Sequence, residues 1–119
     1  MKMKASELRV GNWYLDNGEY KKVMPYLLID LWYSEEITWV QPIPISQKIL
    51  EAVGFEKEFD GNYFSLPEEL CKDGWNKSFI YYLPYCDLNI YVSSIKIKYL
   101  HQLQNLYFAL THQELNINL

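Results

Sequence analysis

The residues that could do chemistry are few: two cysteines, Cys71 and Cys86, two histidines, His101 and His112, and the acidic pairs Glu35-Glu36, Glu56 with Glu58, and Glu68-Glu69. A thiol and an imidazole base make one nucleophile pair, Cys71 or Cys86 with His101, but nothing beside either cysteine marks an activated thiol. Zinc would need the same four residues. The histidines stand eleven positions apart, about three helical turns and too far to share an ion from one helix, and the cysteines lack close spacing. The acidic pairs read as solvated charge at turns and strand edges. With no glycine-rich phosphate loop, nucleotide fingerprint or metal-carboxylate loop, these residues argue against an enzyme, and neither metal nor cofactor is expected. The cysteines read as reduced, packed thiols, with a disulfide as the alternative.

His101 belongs to the stretch that organises the chain, 97–111, and His112 directly follows it. No formally charged residue lies between Lys98 and Glu114. Leu100, Leu103, Leu106, Tyr107 and Leu110 recur at the spacing of one helical side, which predicts a helix over 99–111 that closes the core of a small domain against a sheet. His101, Asn105, Phe108 and His112 fall opposite that stripe. Their face is polar yet uncharged, where a solvated helix normally carries Lys and Glu. Two readings stand. In one the face is buried by the same domain, with Gln102, Gln104 and Asn105 bonding to neighbouring backbone. In the other it binds a partner or a second copy, with Phe108 as the apolar anchor.

The chain of 119 residues fits one domain with one sizeable core. A hydrophobic share of 50% and a charged share of 22% are ordinary globular usage, so the chain is expected to fold. Net charge is −4 with a single arginine, Arg9, which argues against nucleic acid as a partner, because phosphate and base recognition draw on guanidinium forks and basic stripes. Stacking on the aromatic 17% keeps a nucleic-acid or nucleotide-associated role open as the alternative. No apolar run approaches a bilayer span and no signal-type segment follows Met1, so a cytoplasmic location without membrane contact is expected.

Along the chain, Ser6-Glu7-Leu8-Arg9 suggests a helical lead-in. Val10 to Leu15 and Tyr20 to Met24 flank Asn17-Gly18, the dipeptide that supplies the positive-φ positions of a tight hairpin. The run 26–33 suits a buried strand or a short helix, read here as irregular or helical, with a strand over 37–41 after it. Pro42-Ile43-Pro44-Ile45-Ser46 forces extended backbone and ends on a good N-cap, which predicts a helix over 46–53 stopped by Gly54. A second hairpin is expected from 55–59 and 63–66, an exposed connection over 67–74, and three further strands over 78–83, 88–92 and 94–98. The natural topology is an antiparallel meander, and a brief terminal strand or ordered tail is expected over 115–119. The fold class is therefore α+β: one domain with a mainly antiparallel sheet, one short helix and one longer C-terminal helix. Tyr81, Tyr82, Tyr85, Tyr91 and Tyr99 either fill the pleated surface or form a recognition cluster.

Tyr99-Leu100-His101-Gln102-Leu103-Gln104-Asn105-Leu106-Tyr107-Phe108-Ala109-Leu110-Thr111 resembles a family of small uncharacterised proteins encoded by phages, prophages and mobile elements of gut-type bacteria. The similarity continues in Leu8-Arg9-Val10-Gly11-Asn12, in Pro42-Ile43-Pro44-Ile45-Ser46 and in Gly54-Phe55-Glu56, together about a fifth of the chain. The resemblance implies a small intracellular accessory protein and no particular activity, cofactor or catalytic residue. It departs at one point: similar sequences tend to carry glycine after Ala-Leu-Thr, where this chain has His112. A left-handed helix end is easy for glycine and costs something for histidine.

These readings converge on a non-enzymatic protein-binding module. Its candidate binding residues are His101, Asn105, Phe108 and His112. A coherent basic groove around Lys21, Lys22, Lys96 and Lys98 would instead favour the nucleic-acid alternative.

Overall fold

A computed structural model describes residues 5–33, 39–57, 63–65, 80–83, 85–90 and 93–119. Among them three α-helices and two antiparallel sheets, of two and five strands, make an α+β fold. The chain divides into two compact units, Met1–Pro44 with Tyr99–His112, and Ile45–Lys98 with Gln113–Leu119.

The first unit begins with a 3₁₀ turn, Ala5–Glu7, followed by the hairpin β1 (Trp13–Asp16) and β2 (Glu19–Lys22). Asn17 and Gly18 take φ of 50° and 84°. Two successive left-handed residues twist the turn the way the strands twist. The ambiguous run 26–33 is a helix, α1 (Pro25–Tyr33), whose proline opens the first turn, where its missing N–H is no loss. Leu27 and Leu31, one turn apart, are buried with Leu8, Tyr14, Val23 and Val40. Of the strand expected over 37–41, residues 37 and 38 lie outside the described residues, while Gln41 exchanges both backbone hydrogen bonds with Leu15 at 2.8 and 2.9 Å.

The C-terminal helix of this unit, α3 (Leu100–Thr111), packs against β1. Its Leu100 N–H donates to Ile43 O at 2.9 Å, and Gln102 Oε1 accepts from Tyr99 N–H at 3.1 Å, so the helix start is capped from within. The buried face differs from the leucine stripe. Leu100, Leu103 and Tyr107 are buried together with His101 and Gln104, while Leu106 and Leu110 are only half-buried. The buried arc is turned toward the amides because the N-terminal segment covers them. His112 ends the helix in the left-handed region (φ 58°, ψ 23°), its N–H bonded to Phe108 O.

In the second unit, α2 (Gln47–Val53) starts at Ser46, whose Oγ accepts from Ile49 N–H at 3.3 Å. It ends at Gly54, where φ of 103° needs a residue without Cβ. The sheet is a meander of β3 (Glu56–Lys57), β4 (Tyr63–Ser65), β5 (Ile80–Tyr82), β6 (Asp87–Ile90) and β7 (Ser93–Lys96) in sequence order. Phe64, Tyr81 and Leu88 face one another across the three inner strands and are all buried. Tyr81 donates its hydroxyl hydrogen to Ile97 O, so its polar tip is satisfied inside an apolar row. Burial, with the Cys86 side chain beside it, pushes the Tyr81 phenol above its ordinary pKa. Tyr63 and Tyr82 pair edge to face at 4.3 Å. Cys86 is half-buried; Cys71 and Tyr91 lie outside the described residues, as do the turn expected over 60–62 and the connection expected over 67–74. The tail forms no strand but is held by Asn118 N–H to Ala52 O at 2.9 Å.

Candidate functional site

Two features of the first unit bear on function: the polar face of α3 and the outer face of α1. The polar face of α3 meets the segment Glu7 to Trp13. Gln104, buried with only 2% exposed, donates from Nε2 to Gly11 O at 3.2 Å and accepts at Oε1 from Trp13 N–H at 2.9 Å. Its side chain thus behaves like a short length of strand laid beside β1. Asn105 Oδ1 accepts from Asn12 Nδ2 at 2.8 Å and from Arg9 Nε at 3.1 Å, and its Nδ2 donates to Glu7 O at 3.0 Å. Asn12 Oδ1 accepts from Arg9 N–H at 2.6 Å. The Arg9 guanidinium also reaches Gln104 O and lies 4.3 Å from the centre of the Phe108 ring.

His101 is buried too. Its ring stacks on Tyr99 at 5.9 Å, Nε2 stands 3.8 Å from Glu7 Oε2, and Nδ1 has no hydrogen-bond partner among the described residues. Burial lowers its pKa below the ordinary histidine value, with the Glu7 carboxylate opposing weakly. Among the described residues no cluster of three His, Cys, Asp or Glu side chains is placed to hold a metal ion.

The four residues predicted as a binding face are thus placed differently from one another. His101 and Asn105 engage the N-terminal segment, Phe108 lies under Arg9, and His112 is exposed. The sequence reasoning missed their partners Glu7, Arg9 and Asn12. The signal was there: an uncharged amide face must find its hydrogen bonds somewhere, and the single arginine of the chain sits in the other block of the resemblance.

The outer face of α1 is the second feature. Tyr26, Ile29, Trp32 and Tyr33 are 65%, 58%, 71% and 85% exposed. An open groove of about 350 Å³ lies beside them, lined by Ala5, Leu28, Ile29, Trp32 and Tyr33. Asp30 is the one charged residue of the helix. The aromatics named from sequence behave otherwise: Tyr81 is buried, Tyr82 and Tyr99 are half-buried, and Tyr85 is exposed on the β5–β6 turn.

Comparison with protein-family models, curated proteins and solved structures finds no match to the chain. No described helix is long and apolar enough to cross a membrane.

Proposed function

We propose that this chain is a non-enzymatic protein-binding module that docks its partner on the outer face of α1. The observation that carries the reading is the exposure of Tyr26, Ile29, Trp32 and Tyr33 on one short helix. Together they present roughly 600 Å² of mainly apolar surface, at the top of the range for the largest patch on a monomer. Aromatic side chains give large contact area at little conformational cost, which is why they anchor interfaces. The polar face of α3 serves instead as the fastening that holds the N-terminal segment, and with it the 3₁₀ turn behind the α1 groove. A cytoplasmic accessory role of phage or mobile-element type is part of the proposal and rests on the sequence resemblance.

The nucleic-acid alternative is less favoured by the lysines. Lys21 bridges Asp16 at 2.6 Å and Glu19 at 3.9 Å, Lys22 lies over the Trp13 ring, and Lys96 bridges Asp87 at 3.0 Å. Three of the four lysines expected to line a basic groove therefore have local occupations. The test is quantitative affinity capture with wild-type and Tyr26→Ser/Trp32→Ser baits matched for melting temperature. Proteins enriched by the wild type and lost with the variant support the reading; identical captured sets refute it.

A further inference from the structure

We infer that the occupant of the α1 face is an amphipathic helix of a partner protein with lysine or arginine beside its apolar stripe, an inference that rests on the docking reading above. The groove runs along α1 between two i, i+4 pairs, Leu28 with Trp32 and Ile29 with Tyr33, and is closed on one side by Ala5 of the 3₁₀ turn. Side-chain ridges at that spacing accept the ridge of another helix. An extended peptide would gain nothing here from backbone pairing, because the N–H and C=O groups of a helix are already used within it.

The sign of the charge follows from the two elements that line the groove. The helix Pro25–Tyr33 carries Asp30 and no basic residue, and the 3₁₀ turn Ala5–Glu7 also carries no basic residue, its Glu7 carboxylate standing by His101. Asp30 is exposed and in no ion pair among the described residues. The chain as a whole is at −4. The exposed rings of Trp32, Tyr33 and Tyr26 add faces that attract cations. A second copy of this chain would instead bring Asp30 toward its own image and set two net-negative molecules together, so symmetric pairing is the poorer occupant.

The test uses three labelled peptides of about 18 residues, long enough to be helical when bound: one with a leucine stripe flanked by lysine, the same stripe flanked by glutamate, and a scrambled leucine/lysine peptide without a stripe. Fluorescence anisotropy is read against wild-type protein, Trp32→Ser and Asp30→Lys, each first shown to melt like the wild type. The leucine/lysine helix is expected to bind the wild type and to lose at least about tenfold with Trp32→Ser, and severalfold with Asp30→Lys. Glutamate and scrambled peptides are expected to bind at least about tenfold more weakly. Equal binding of the lysine and glutamate helices, both sensitive to Trp32→Ser, would overturn the basic partner while leaving the docking face standing. Binding insensitive to Trp32→Ser, or equal for the scrambled peptide, would remove the docking face itself. A Trp32-dependent dimer in sedimentation velocity would make a second copy the occupant and overturn the inference.

Discussion

The guanidinium of Arg9 lies 4.3 Å from the centre of the Phe108 ring and bonds the neighbouring Asn105 through Nε at 3.1 Å. The contact joins residues near opposite ends of the chain, and it depends on the planar fork of arginine as much as on its charge. Arg9→Lys is therefore expected to destabilise the first unit by about 1–2 kcal/mol although the charge is kept. Urea unfolding of the two proteins side by side measures it, and equal midpoints would mean that charge alone accounts for the contact.

Gln104 is the more costly residue to lose. Both ends of its amide serve backbone groups flanking Asn12, and Gln104→Ala would strip partners from a part-buried N–H and a part-buried carbonyl and leave a gap where a buried side chain stood. A loss of about 2–4 kcal/mol is expected. Hydrogen exchange locates it: the Trp13 amide should exchange far faster in the variant, and unchanged protection would show that another acceptor takes over.

At the end of α3, His112 holds a left-handed conformation at φ 58°. Glycine adopts this conformation freely, so His112→Gly is expected to raise stability by about 0.5–1 kcal/mol, seen as a higher melting temperature. A fall would mean that the imidazole makes a contact worth more than the backbone strain.

The buried His101 gives stability a pH dependence. Its pKa is lowered in the folded state, so below the unfolded value of about 6.5 the unfolded chain binds the extra proton first. Stability is then full above that pH and falls as the solution is acidified toward the lowered folded value. Protonation would also charge a ring that has Glu7 at 3.8 Å as its one acidic neighbour among the described residues. His101→Gln should flatten the difference between melts at about pH 7.5 and about pH 5.5 relative to wild type; parallel profiles would assign the acid loss to carboxylates alone.

Much of the fold could be read from local rules. Asn17-Gly18 fixed one hairpin, and Ser46 with Gly54 bounded α2 to the residue. The run of apolar and aromatic residues after β5 anticipated the meander, although β7 starts one residue earlier than expected. Two things lay beyond local rules. The apolar run 26–33 has no polar side to phase it, so periodicity could not say that Leu27 and Leu31 would be buried while Trp32 and Tyr33 stayed exposed. For the amide face of α3, burial within the domain was one of the two readings, but its partners could not be named, because hydrogen bonds to Gly11, Asn12 and Trp13 connect residues more than ninety positions apart and no local pattern encodes such a pairing.

The central claim is that partners meet the outer face of α1, while the polar face of α3 is occupied within the chain. Placing a photo-crosslinking amino acid at Ile29, and in a second protein at His112, tests it directly in lysate of the native host. A discrete adduct from position 29 with none from position 112 is the result predicted. Adducts from position 112 alone, at equal expression and stability, would contradict the account.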